Sequence, residues 1–347
     1  MRIDMPATDA WEKACERYRD GLPFRDANVH VQIYRGYQSA VWEISRSLAR
    51  LFSHKKTIAI PAQSEPSLVK MAISFSEEGY QVEYLTPEIA ASPEEWVKVH
   101  QSDLLFVLLP LDDMITGRKF DWTALLGALK DKRVFRLGLS HSEYRMREVQ
   151  RPGLYDGEIL SLTPERCLFV AGERCRVQPS VTPLLVWSDD ATDGMSVLKW
   201  PESTIAAHRE AVLQFEQNLP QGFRPFFDSN QVDRVYDRAV IWHPEIDGLT
   251  LASELVRVNI GKSGTGLFAD QMDLIESMPK PGCDGDFETT SGCRWLDLRF
   301  SDWLMQQGWS SEKIRGTILI DAVQVGAEIK RRLEEVANKI LQFQSSN

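Results

Sequence analysis

Residues 104–109 read LLFVLL, six apolar positions with no polar residue on either side of the alternation. A strand with one face in water alternates apolar and polar residues; this run does not. It therefore predicts a strand covered on both faces, the position of an interior strand in a parallel sheet. The flanking sequence agrees. Strand-like runs at 29–33, 57–60, 82–85, 134–139, 159–162 and 167–170 are interleaved with helical patterns at 38–52, 67–78 and 121–129. Gly79 supplies a stop signal after the second helix. Alternating strands and helices over this length predict an α/β fold of three layers, a mostly parallel sheet with helices on both faces. A last strand of this layer is expected at 183–187.

The pattern changes near Trp200-Pro201. A helix is expected at 203–218, then a looser region with turn signals at Pro220, Gly222, Pro244 and Gly248. Strands at 295–300 and 317–321 and a charged helix at 326–342 follow. The expected division is an N-terminal segment over 1–30 with an amphipathic helix near 11–18, a large α/β domain over 31–200, and a smaller α+β domain over 201–347.

With 347 residues, 43% of them hydrophobic and 26% charged, the chain can bury a substantial core. Its net charge of -10 argues against a nucleic-acid footprint, which needs a basic face. No apolar run approaches the ~18 residues of a membrane span, and no basic–apolar leader is read at the start. Cys15, Cys167, Cys175, Cys283 and Cys293 are scattered without zinc-ligand spacing, so reduced thiols in a cytoplasmic protein are expected.

Several short motifs fall at strand ends. Tyr34-Arg35-Gly36-Tyr37-Gln38-Ser39-Ala40 forms a glycine turn opening a helix, where free backbone N–H groups and the helix dipole can hold an anion. Pro61-Ala62-Gln63 follows the second strand, and Asp112-Asp113-Met114-Ile115-Thr116-Gly117 follows the 104–109 run. His141-Ser142-Glu143-Tyr144 follows the next strand, and the stretch 159–177 runs strand, turn, strand into Gly172-Glu173-Arg174.

In this order the motifs resemble the large domain of the fold-type I, pyridoxal-phosphate (PLP) dependent aminotransferases. The resemblance implies a phosphate site at Gly36, Tyr37 and Gln38, with Arg174 as its arginine. It implies Asp113 beside the ring hydroxyl, His141 at the ring nitrogen and Tyr144 at the ring hydroxyl or phosphate. It implies the Schiff-base lysine eight residues before Arg174, where Arg166 stands. Arg299 and Arg315 follow small-domain strands, where the family keeps its substrate-carboxylate arginine. The resemblance also implies a homodimer.

Four substitutions depart from the family. Arg166 replaces the lysine, and a guanidinium stays protonated and cannot form an imine. His141 replaces the aspartate that holds a pyridinium proton. Gln63 replaces the stacking ring, and Asp113 or Met114 the asparagine; a carboxylate there would repel the cofactor's phenolate. The reading that follows is a family-like protein that has lost Schiff-base catalysis and serves as a binding, scaffold or regulatory subunit with a protein partner. Two others stay open. One is a working PLP enzyme on an amino acid or other carboxylate, or an enzyme using Arg166, His141 and Tyr144 without an imine. The other is an unrelated doubly wound protein, whose ligand would sit at the same strand ends. Lys262 lies in a phosphate-loop-like run, but Val256 stands where that motif needs glycine. Asp284-Gly285-Asp286 lacks the ligand spacing of a calcium loop.

Overall fold

The computed structural model describes residues 13, 15–16, 18–20, 29–34, 36–62, 64–142, 154–163, 166–172, 175, 202–227, 232–257, 304–305 and 308–345. They form two compact units, one built from 1–114 and 119–201, the other from 115–118 and 202–347.

The first unit is built on a seven-stranded sheet. Its elements in chain order are β1 (His30–Tyr34), α1 (Tyr37–Leu51), β2 (Thr57–Pro61), α2 (Pro66–Glu77), β3 (Gln81–Leu85), α3 (Pro87–Ala91), α4 (Glu94–His100), β4 (Leu104–Pro110), α5 (Thr123–Leu129), β5 (Phe135–Ser140), β6 (Gly157–Thr163) and β7 (Arg166–Ala171). The strand order is β1-β7-β6-β5-β4-β2-β3. β7 runs antiparallel to both of its neighbours, and the other six strands share one direction.

β4 sits where its sequence demands, between β2 and β5, with Leu104 through Leu109 all fully buried. Alternate residues of the sheet feed two cores. Ile58, Ile60, Phe106 and Leu108 pack with Ala40, Ile44 and Leu48 of α1 and with Leu68, Met71 and Phe75 of α2. Ala59, Val107 and Leu109 pack with Val97 of α4 and Leu125, Leu126 and Leu129 of α5. Each fully buried Leu, Ile or Phe contributes about 1.5–3 kcal/mol, so both layers are held mainly by burial. The three-layer α/β architecture expected from the sequence is the one observed.

Local differences have local causes. Leu51 continues the apolar spacing of Val41, Ile44 and Leu48, but it is the last residue of the helix and is 63% exposed, so the buried face ends at Leu48 and Ala49. The short helices α3 and α4 lie between the strand expected at 82–85 and that at 104–109, a stretch for which no element was expected. α3 is started by Thr86, whose side chain accepts from the Ile89 amide, with Pro87 at the first helical position. α2 ends as expected before Gly79, which has a φ of 81°.

The second unit holds α6 (Glu202–Gln217), β8 (Arg224–Pro225), β9 (Arg238–Trp242), α7 (Gly248–Arg257), α8 (Ser311–Gly316), β10 (Thr317–Asp321) and α9 (Ala327–Ser345). Its antiparallel sheet has the order β10-β9-β8. Ala239, Ile241, Ile318 and Ile320 of the sheet pack against Val212 of α6, Leu251 and Leu255 of α7, and Ile329, Leu333, Val336 and Ile340 of α9. The region read as loose thus contains a central strand, β9, and a helix, α7. The strands expected at 183–187 and 295–300 lie outside the described residues, and the helix expected near 11–18 is described only in part. Residues 115–118, read as the tail of a cofactor motif, group with this second unit, where Gly117 (φ 70°) packs against the carbonyl of Val235. Among the described residues no helix is long and apolar enough to cross a membrane.

Candidate functional site

Because β1, β2, β4 and β5 share one direction, their last residues Tyr34, Pro61, Pro110 and Ser140 lie along one edge of the sheet. In open α/β sheets this carboxyl edge is where ligands bind. Four segments of the first unit converge there: the start of α1, the β2–α2 loop, the residues after β4 and the residues after β5.

The anchor is Asp112, 2% exposed, just past β4. Its Oδ1 accepts the backbone N–H of His141 at 3.0 Å, and its Oδ2 accepts the hydroxyl of Ser140. Ser140 Oγ in turn accepts the Ser142 amide at 3.1 Å. The strand end below is pinned by Leu111 N–H to Leu139 O at 2.7 Å and by the Trp122 indole N–H to Pro110 O at 2.6 Å. A buried carboxylate that accepts such donors holds a loop in one conformation, since charge-assisted hydrogen bonds are the stronger kind.

His141 is thereby presented to Glu65. Its Nε2 lies 2.7 Å from Glu65 Oε2, with side-chain exposures of 16% and 6%. Glu65 stands immediately before α2; it precedes Pro66, which biases it to the extended backbone that it adopts (φ -59°, ψ 155°). The imidazole also packs on Tyr37, with ring centroids 4.1 Å apart at 49°. The Tyr37 hydroxyl is close enough to Glu65 to feel its charge without making a well-formed hydrogen bond. Burial, and then the Glu65 carboxylate, push its acidity well below that of an ordinary phenol. Tyr37 also begins α1, after Gly36 at φ 79°, ψ 156°. That helix has no side-chain cap and no acid in its first turn, so its N-terminal amides suit an anion.

The expected residues are distributed as follows. Gly36, Tyr37 and Gln38 form the helix start, with Gln38 exposed. His141 joins Tyr37 as described. Asp113 is half-buried; the carboxylate that contacts the end of β5 is its neighbour Asp112. Arg166, at the position implied for the lysine, is the first residue of β7, paired with Thr163 of β6. Tyr144, Arg174, Arg299 and Lys262 lie outside the described residues. Arg315 is exposed in the second unit and donates to Pro244 O at 3.2 Å. Glu65 and Asp112 were not singled out, and both bear directly on His141. Their signal was an acid within a few residues of a strand's carboxyl end, visible only once those strands are placed side by side.

Pyridoxal phosphate can be tested against these residues. The start of α1 suits its phosphate. Where the resemblance implies the imine lysine, Arg166 opens β7 directly after residues 164–165, and the sequence has no lysine between Lys132 and Lys199, the span that contains both strands.

No family model matches the chain, and no curated protein matches it. Solved structures do. A NifS-like protein superposes with a TM-score of 0.63 at 15% identity, over 97% of this chain and 88% of that one. DndA from Streptomyces lividans gives 0.57 at 14%, over 91% and 88%. Ureidoglycine–glyoxylate aminotransferase (pucG) from Bacillus subtilis gives 0.53 at 15%, over 72% and 73%. At this identity the likeness shows the fold: a PLP-transferase-type α/β fold with a smaller α+β unit.

Proposed function

We propose that this protein is a PLP-transferase-fold protein without Schiff-base catalysis, acting as a binding, scaffold or regulatory pseudoenzyme. One observation carries the reading: the span Arg133–Leu198, which includes the whole β6–β7 hairpin, contains no lysine, and Thr163 pairs directly with Arg166. An arginine at that place cannot lose its proton to become the amine of an imine. The uncapped start of α1 supports retention of an anion near Gly36, with Arg174 as a further contact. On this reading pyridoxal phosphate is held at most non-covalently. The chain forms a cytoplasmic homodimer whose ligand cleft belongs to the 31–200 domain, and it works through a protein partner.

The test is a titration of the purified chain with pyridoxal phosphate followed in the visible spectrum, then borohydride reduction and peptide mass mapping. The reading expects no imine band and no pyridoxyl-lysine. A reduced adduct at one lysine with full stoichiometry would instead make the chain an active PLP enzyme on an amino acid or related carboxylate.

A further inference from the structure

Arg118, Arg209 and Arg234 all belong to the second unit and gather around Tyr236. Arg209, on α6, places its guanidinium 5.0 Å from the centre of the Tyr236 ring, and Arg234 places its own 4.7 Å from the same ring. Arg118 is joined to Arg234 by an antiparallel bridge, supported by a 2.8 Å bond from the Val235 N–H to Gly117 O. Residues paired across such a bridge carry their side chains on one face, with Cβ atoms about 4.5–5.5 Å apart, and like charges there repel. A guanidinium stays charged at any working pH, so the repulsion cannot be relieved by loss of a proton. The neighbouring acids do not balance this charge. Glu216 is the buried partner of Arg234, and its other oxygen accepts the Val240 amide at 3.0 Å. Asp237 pairs with Arg238. Among the described residues neither Arg118 nor Arg209 pairs with a carboxylate, Asp233 included, and both side chains are exposed. Arg234 is itself incompletely satisfied: Nη2 donates to Glu216, while Nη1 is enclosed and has no acceptor. A buried cationic donor without a partner is costly, and a bound ion is one of the few things that satisfies it.

We propose that Arg118, Arg209 and Arg234 form a binding site for the phosphomonoester group of a small molecule. A phosphomonoester suits the cluster better than a carboxylate does. Its three free oxygens and near-double charge can accept from more than one guanidinium fork, whereas a carboxylate is filled by one bidentate arginine. Arg118 and Arg209 are the exposed members and make the first contacts. Stacking on Tyr236 orients the Arg209 and Arg234 planes, and Arg234 adds charge from the buried side. Its Nη1 becomes the third donor once the exposed side chains turn toward the ligand. This site lies in the second unit and is separate from the anion position at Gly36 in the first. It rests neither on the loss of an imine nor on pyridoxal phosphate. The borohydride experiment reports on lysine and the present one on two arginines, so either reading can fail alone.

The test labels the arginines of the full, unaltered chain with phenylglyoxal while glycerol 2-phosphate is titrated in, and reads each position by mass spectrometry. Arg118 and Arg209 should be protected together, with one midpoint, while the exposed Arg50 and Arg133 label as before. Acetate should protect about tenfold less well, because it offers one fork's worth of acceptors. In Arg118→Ala, protection of Arg209 should need about tenfold more glycerol 2-phosphate. Arg209→Lys keeps the charge but loses the planar fork, and should weaken protection of Arg118 several-fold. Both positions are exposed, so the urea midpoints of these variants should stay at the value of the unaltered chain, which separates lost binding from lost folding. Protection no greater at Arg118 and Arg209 than at Arg50 and Arg133 would mean general screening of charge and overturn the proposal. Equal protection by acetate, or undiminished protection of Arg118 in Arg209→Ala, overturns it as well.

Discussion

Asp112 Oδ1 and the backbone N–H of His141 are joined by a 3.0 Å hydrogen bond that ties the end of β4 to the end of β5. The same carboxylate accepts the Ser140 hydroxyl, so one buried acid satisfies two donors where the strands stop. Replacing it with alanine leaves both donors without that partner in a buried site, at a cost of about 2–3 kcal/mol. Asp112→Ala is therefore expected to lower the urea midpoint and to loosen His141, whereas Asp112→Asn keeps one acceptor and loses less. Urea titrations of the two variants check the order; equal midpoints would remove Asp112 from its anchoring role.

How much of this arrangement the sequence discloses depends on how local its causes are. The interior position of β4 is written in six residues, and the end of α2 in Gly79. The start of α1 at Gly36 and Tyr37 is similarly legible, because a glycine turn into an amphipathic pattern has one common structural outcome. β9 was not read because Arg238–Trp242 is a short apolar run among turn signals, and its pairing with β10 supplies the context that makes it a strand. Glu65 was missed for a related reason. Nothing near it in sequence shows that the end of β5 will bring an imidazole to its carboxylate; that follows from the parallel order β5-β4-β2.

A pH effect is expected in the second unit. His243 is 3% exposed, and its Nδ1 accepts the amides of Glu245 and Ile246, each at 3.1 Å. These bonds require that nitrogen to be unprotonated, and burial lowers the affinity of the ring for a proton relative to the unfolded chain. A histidine with a depressed folded value contributes stability that is fully present above the unfolded value. The contribution is lost as pH falls below the ordinary 6.5 toward the folded value. Native-state hydrogen exchange of peptides covering β9 and β10 should show a smaller opening free energy at pH 5.5 than at 7.5. No change between the two would mean that His243 is not the sensor.

Cys167 offers a test of burial itself. It is fully buried in β7, and burial pushes its thiol far above the usual range, so little thiolate forms at neutral pH. Cys15 and Cys175 are buried as well. In native buffer iodoacetamide should label none of the three appreciably over the time in which denaturant exposes them all. Rapid native labelling at Cys167, read by mass spectrometry, would contradict the position of β7 inside the sheet.

Two glycines should respond in opposite directions to the same substitution. A Cβ on Gly316 would lie 2.0 Å from the carbonyl oxygen of His243, a backbone atom that cannot turn aside. The Gly316 carbonyl also accepts the His243 amide at 3.1 Å, so any shift to relieve the clash strains that bond. Gly316→Ala is expected to destabilise the chain by about 1–3 kcal/mol or more. Gly127 lies inside α5 with nothing within 4 Å of an added Cβ. There alanine removes backbone freedom from the unfolded chain and meets no obstacle, so Gly127→Ala should stabilise by roughly 0.5–1 kcal/mol. Urea midpoints for the pair check both signs. The contrast matters more than either value, because a general effect of adding a methyl group would move the two variants the same way. Opposite shifts would establish that Gly316 is fixed by the close approach of the β9–α7 segment to the start of β10, and that Gly127 is not fixed by packing.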